Sequence, residues 1–205
     1  MKCDIRKFFA SIDQEILVEI VRKHITDQNV IWLIERIVKS FQSTALGKGL
    51  PLGNLTSQLL VNVYMNEFDQ FVKHGFKRKY YIRYADDFVI MDSDRGVLME
   101  ILFKIQEFLE EKLKLKLHPN KVHIKTISSG IDFLGWVNFP NHKVLRTSTK
   151  WRMFKRLEDK QFKEESVRSY LGMLKHGNAY QLKRNIEDLF SKQIQNKLTT
   201  TSPHP

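Results

Sequence analysis

Residues 80–91 read YYIRYADDFVIM, two runs rich in aromatic and β-branched residues with Asp86 and Asp87 between them. Each run has the composition of a strand. The stretch predicts a hairpin of residues 80–84 and 88–91 with the two acids at its tip. Adjacent carboxylates repel one another, so the pair adds nothing to the stability of a turn. Its presence asks for a cation.

Working outward, residues 2–9 read as a buried strand. Ser11 with Gln14 three residues later is a capping-box pattern, opening a helix with Ile16, Leu17, Ile20 and Val21 at helical spacing. A second helix is expected over 27–41, a Gly/Pro loop over 46–54, and a third helix over 55–74, stopped by Gly75. After the hairpin, Asp94 suits the cap of a long helix carrying Val97, Leu98, Ile101, Leu102, Ile105, Phe108 and Leu109 along one side. Residues 122–127 and 131–138 are expected to pair around the turn Ser128, Ser129, Gly130.

Residues 2–138 therefore read β-α-β-β-α-β, with extra helices in the first crossover. That is the split β-α-β, ferredoxin-like order of an α+β fold. Polar residues at 141–149 suggest a boundary between a first domain, residues 1–140, and a helical, basic segment over 150–195. Within that segment helices are expected at 150–164, 166–175 and 178–195, with a disordered tail at 196–205.

Composition narrows the function. Of 205 residues, 34 are Lys or Arg and 23 are Asp or Glu, a net charge of +11 that favours polyanionic partners. Cys3 is the single cysteine, so neither a disulfide framework nor a cysteine zinc site forms within one chain. The seven histidines show no metal-ligand spacing. With no run of about 18 apolar residues and no signal-peptide pattern, a soluble cytoplasmic protein without membrane association is expected.

In a split β-α-β sheet the first strand lies beside the central hairpin, which would bring Asp4 together with Asp86 and Asp87. Carboxylates gathered at a sheet edge suit Mg²⁺, a hard cation that takes oxygen ligands. Two such ions stabilise the attacking and leaving oxygens of a phosphoryl displacement.

These residues resemble reverse transcriptases, the RNA-directed DNA polymerases. Tyr84-Ala85-Asp86-Asp87 resembles their YADD box, and Cys3-Asp4-Ile5-Arg6-Lys7-Phe8-Phe9 their first palm motif. The run from Leu50 to Gln58, LPLGNLTSQ, resembles the motif between them. Leu117-His118-Pro119-Asn120-Lys121 resembles the lysine-bearing motif, and Phe133-Leu134-Gly135-Trp136 the primer-grip hairpin. The resemblance implies a polymerase palm followed by a helical thumb. Asp4, Asp86 and Asp87 would be catalytic and, with the Ile5 carbonyl, would bind two Mg²⁺ ions, Mn²⁺ being a substitute. It further implies nucleotide contacts from Lys7, Phe8, Phe9, Leu52, Gly53 and Lys121. Phe9 would be a steric gate selecting deoxynucleotides, and Lys121 an acid toward pyrophosphate. Phe133, Leu134, Gly135 and Trp136 would hold the primer end.

Lys150, Arg152, Lys155 and Arg156, interleaved with Trp151 and Phe154, suit a thumb gripping template and primer, with Tyr170, Lys175, His176 and Arg184 extending that surface. The expected partners are an RNA template, a DNA primer and deoxynucleoside triphosphates.

Leu52-Gly53 with Ser57-Gln58 resembles the form found in diversity-generating retroelements, which implies a low-fidelity enzyme working with a small basic accessory protein. Group II intron-like, retron and phage-defence enzymes are related bacterial lineages that the resemblance leaves open. The family places a fingers region before the first palm motif, whereas Asp4 is the fourth residue here. The resemblance therefore implies either a fragment or split gene product, or fingers from a separate chain, and weak polymerisation without them. A catalytically silent RNA-binding module and a nucleotide cyclase-like palm are the alternatives. The first has no need of the three acids, and the second none of the middle motif or the grip.

Overall fold

The computed structural model describes residues 1–41 and 45–200. It divides into two compact units, Met1–Ile124 and Lys125–Pro205. The division lies ahead of the polar stretch at 141–149, where the sequence suggested a break, because Lys143–Leu145 is itself a strand of the second unit. The fold is α+β in both.

In the first unit β1 (Lys2–Asp4), β2 (Tyr81–Tyr84) and β3 (Asp87–Ile90) form an antiparallel sheet in the order β1-β3-β2. The free edge of β1 is lined by residues 116–123. Lys2 and His123 exchange two backbone bonds of 2.8 Å, Arg6 N–H donates to the Lys116 carbonyl and His118 N–H to that of Asp4.

Side chains alternate across the pleat. Cys3, Phe88 and Ile90 point into the core, while Lys2, Asp4, Asp87, Ile82 and Tyr84 share the opposite face. The core face packs on α2 (Gln14–His24), α4 (Leu55–Gln70) and α5 (Arg95–Lys112). At its centre Phe68 lies 4.9 Å from the Phe88 ring, and the buried Tyr64 hydroxyl donates to the Leu113 carbonyl at 2.6 Å. Along α5, Leu98, Ile101, Ile105 and Leu109 are buried and Val97, Leu102 and Phe108 pack beside them, as the sequence predicts. Asp94 caps that helix through Gly96 N–H and Val97 N–H.

Several local expectations are corrected. The first strand stops at Asp4. Lys7, left-handed at φ 47°, turns the chain into the short helix α1 (Phe8–Ser11), which buries Phe8. Asp13, not Ser11, caps α2, its carboxylate accepting from Glu15 N–H and Ile16 N–H at 3.2 Å each. A carboxylate adjoining the first turn outcompetes a hydroxyl two residues upstream. Helix α3 (Gln28–Lys39) forms as expected with Asp27 as its cap. The third helix is α-helical only to Gln70 and continues as a π turn over Phe71–Gly75.

In the second unit, residues 122–127 do not pair with 131–138. The hairpin is β4 (Ile131–Phe133) with β5 (Trp136–Asn138), followed by β6 (Lys143–Leu145) in the order β4-β5-β6. Leu134 and Gly135, with φ of 53° and 81°, form the two-residue reversal. Two consecutive left-handed residues match the twist of a tight hairpin, so this pair out-turns Ser128-Ser129-Gly130.

Three helices follow, α6 (Thr147–Asp159), α7 (Glu164–Leu174) and α8 (Tyr180–Thr200). They enclose a small core of Leu145, Met153, Leu157, Val167, Leu174, Ala179 and Ile186. The expected tail is helical through Thr200, and residues 201–205 lie outside the described residues.

Candidate active site

The register of the first sheet sets Asp4 opposite Asp87, and Asp87 opposite Tyr84. Asp86 occupies the two-residue tip with Ala85, which is left-handed at φ 52°. A non-glycine residue in that region is strained, and the strain sits in the link between Tyr84 and the acids. The tip is tied down: Ile5 N–H donates to the Asp86 carbonyl at 3.2 Å, and the Arg83 guanidinium donates to the Ala85 carbonyl at 3.1 Å. Arg83 also pairs with Asp69, which accepts from the Tyr81 hydroxyl, so β2 is fastened to α4 from below.

Asp4 and Asp87 thus share one face of the sheet, with Asp86 at the adjoining tip. Asp4 is 8% exposed, and its Oδ2 accepts from the Lys121 ammonium at 3.0 Å. Asp87 Oδ2 is 3.4 Å from the Lys2 ammonium, while its Oδ1 is buried without a hydrogen-bond donor among the described residues.

Burial pushes the Asp86 carboxyl above its ordinary range, and the charges of Asp4 and Asp87 push it further, against Lys121. Burial likewise raises Asp87, with Lys2 pulling it down and Asp4 pushing it up. Lys121 is held protonated more firmly than a free lysine, chiefly by its bond to Asp4. The cluster is therefore an electrostatically frustrated acid site with two lysines as partial counter-charges. Among the described residues no group of three or more His, Cys, Asp or Glu side chains has the arrangement of a preformed metal site.

Around this cluster the sequence-expected residues distribute unevenly. Phe8 is a core residue, and Phe9 packs edge-on against it at 5.5 Å. The Phe9 carbonyl accepts from Leu50 N–H at 2.8 Å, which fastens the 49–54 loop beside α1. Leu52 is 77% exposed, and Gly53, at φ 88°, has open space where a Cβ would stand. Lys7 is exposed.

Lys2 was missed by sequence reading, although its signal was available. A residue two before Asp4 on a strand shares its face.

The second unit holds the remaining expected residues. Leu134 is half-exposed at the hairpin reversal, and Gly135 packs near Thr149. The Trp136 ring lies over Gly177, where an added Cβ would come within 2.1 Å of it. Lys150, Arg152, Lys155 and Arg156 are all exposed along α6, with Trp151 72% exposed among them, whereas Phe154 turns to the core. Tyr170 also packs against the core.

No helix among the described residues is long and apolar enough to cross a membrane.

Comparison with known proteins places the chain among relatives of one family. Protein YkfC of Escherichia coli K12 is 26% identical over 185 residues, covering 72% of this chain and 47% of that protein. A putative COX1/OXI3 intron 2 protein of Saccharomyces cerevisiae is 21% identical over 199 residues, covering 66% of this chain and 23% of that protein. The chain thus spans less than half the length of either relative. The family described as reverse transcriptase (RNA-dependent DNA polymerase) matches residues 1–138, from β1 through the strand that carries Trp136. The chain belongs to the reverse transcriptase family.

Proposed function

We propose that the chain is the palm and thumb of an RNA-directed DNA polymerase of the retroelement type, adding deoxynucleotides to a primer 3′-hydroxyl on an RNA template. The observation that carries the reading is the placing of Asp4 beside Asp87 on one sheet face with Asp86 at the adjoining tip, and a buried Asp87 oxygen lacking a donor. Orphaned buried oxygens of this kind are costly unless a cation or donor serves them. The strand order β1-β3-β2, with residues 116–123 along the outer edge of β1, supports a split β-α-β palm.

The donor set fits Mg²⁺ or Mn²⁺, being made of oxygen alone. Asp4, Asp86 and Asp87, with the Ile5 carbonyl, would hold two such ions. When bound, the ions supply charge neutralisation at the triphosphate and acidify the primer hydroxyl. The remaining roles belong to the chain itself. Lys121, kept charged by Asp4, would turn to the departing pyrophosphate and donate a proton to it. Lys7 and Phe8 would offer backbone amides to the triphosphate, and the Phe9 ring would exclude a ribose 2′-hydroxyl. Leu52 and Gly53 would border the templating pair, where glycine permits close approach. The exposed cations of α6 would take template and primer phosphates, and the reversal at Leu134-Gly135, flanked by Phe133 and Trp136, would steady the primer end.

Extension of an oligo(dT) primer on poly(rA) with dTTP and Mg²⁺ tests the reading. Extension by the wild type that disappears in Asp86→Ala supports it. Template binding that persists in both proteins, with extension by neither, would sink it.

A further inference from the structure

The end of the first sheet remote from the acids carries a second concentration of chemistry. Residues 73–79 read KHGFKRK, five basic side chains in seven positions, followed by Tyr80. Lys73, His74, Lys77, Lys79 and Tyr80 are all exposed. Nearby acids are already engaged: Asp92 pairs with Arg78, Asp69 with Arg83, and Glu67 with Lys23. Among the described residues, no carboxylate pairs with Lys73, Lys77 or Lys79, so three exposed ammonium groups of one seven-residue segment lack counter-charge.

The segment is also built rigidly. Its π turn sets Phe71 face to face with Phe108 at 4.1 Å and edge-on to Phe76 at 4.8 Å. The Arg78 Nε–H donates to the Phe76 carbonyl at 2.7 Å, and Met91 N–H to the Tyr80 carbonyl at 2.9 Å. Lys77 is held left-handed at φ 51°. π turns and strained non-glycine residues concentrate at functional sites because they cost stability elsewhere. Tyr80 is 56% exposed, and the Lys79 ammonium lies 5.5 Å from the centre of its ring.

We infer that this segment is a second RNA-binding surface, distinct from the carboxylate cluster and about 13 Å along β2 from its tip at strand rise. Lys73, Lys77 and Lys79 contact phosphates, and Tyr80 stacks on an unpaired base. Unpaired cations along a short segment and an exposed ring beside one of them are the combination that single-stranded nucleic acid rewards. An anionic membrane would instead need a broad apolar face, and here Phe71 and Phe76 are turned inward. RNA is the strand this family reads. The inference rests on family membership and on the patch, not on the polymerase chemistry.

The test is anisotropy titration of the whole chain with a fluorescein-labelled unpaired RNA of about 16 nucleotides, the upper range of a single-strand site. It is run in wild-type and Asp86→Asn backgrounds, so that a failure of catalysis and a failure of this surface read separately. Replacing Lys73, Lys77 and Lys79 together by Gln is expected to weaken binding about tenfold or more at low salt. The plot of log affinity against log salt should become shallower by roughly 2, since each lost phosphate contact removes about 0.7. Tyr80→Leu should weaken binding about fivefold or more, with Tyr80→Phe restoring it. RNA should protect the three lysines of the wild type from acetylation, a readout that needs no folded variant. Unchanged affinity and slope in the triple variant, or unprotected lysines, would overturn the inference. So would tighter binding of a DNA strand of the same sequence, or a variant that loses only its binding to phosphatidylserine vesicles.

Discussion

Two three-stranded antiparallel sheets, one in each unit, differ in what lies behind them. The first backs onto a large core, and Cys3, Phe88 and Ile90 on its inner face are fully buried. The second has only Leu145 buried among its strands and leans on a seven-residue core. A well-covered sheet tolerates a costly outer surface, and the first carries carboxylates there. A thinly covered sheet has no such margin, so single close contacts matter more to its stability. The first sheet is therefore expected to lose chemistry when its face is altered, and the second to lose structure.

The sharpest break in that comparison is Asp86→Asn. Removing one charge from the cluster is expected to cut nucleotidyl transfer by about 10³-fold, the scale of losing one preorganised electrostatic group. The fold should survive, because the amide keeps the shape and the Asp86 carbonyl still accepts from Ile5 N–H. Primer extension beside circular-dichroism melting separates the two effects. A variant that unfolds at ambient temperature would erase the distinction between the sheets.

Gly177→Ala probes the second sheet. The new Cβ would meet the Trp136 ring at 2.1 Å, and relief requires the indole to leave its place on β5. Overpacking of this kind costs about 1–3 kcal/mol. Hydrogen exchange should accelerate within residues 125–200 while residues 1–124 keep their protection. The counterpart in the first unit is Tyr64→Phe, which leaves the Leu113 carbonyl buried without its side-chain donor. Its expected cost is about 1–2 kcal/mol, read from the denaturant midpoint at unchanged slope. A Tyr64→Phe cost exceeding that of Gly177→Ala would reverse the ranking of the two cores.

Much of the first unit was legible because its signals were local and repeated. The α5 stripe, the Asp94 cap and the acid-tipped hairpin each follow from spacing alone, and their order along the chain carries the topology. Reading failed where two local signals competed. Ser11 carried the capping-box pattern, but the path of the chain after Lys7 gives the cap to Asp13. Gly130 and Leu134-Gly135 both qualified as turns, and the choice depended on strand register, a non-local property. The acids of the candidate site were legible as residue types on expected strands. The pairing of Lys121 with Asp4 was not, since it joins residues 117 apart in sequence, whereas Lys2 was legible from its place two residues before Asp4. Gly177 gave no signal at all, because its importance comes entirely from a ring that folding brings to it.

The smallest expected effect concerns pH. Burial and like charge raise Asp86 and Asp87 above the ordinary carboxylate value of 3.8, so in a window above 3.8 the folded chain binds more protons than the unfolded one. Stability from these two groups is fully present below that value and is lost as pH rises through their raised folded values. Above the window the loss is constant, and it is the standing cost of keeping the cluster charged without a metal. Asp86→Asn removes one of the groups and relieves the repulsion on Asp87. The metal-free variant should therefore melt above the wild type at neutral pH, with the gap closing as pH falls through the window. Adding Mg²⁺ should narrow the gap from the other side, because a ligand bound only by the folded state stabilises it in proportion to its occupancy. A variant melting below the wild type at neutral pH would mean that Lys2 and Lys121 already balance the acids. The open face of the first sheet would then cost no more than that of the second.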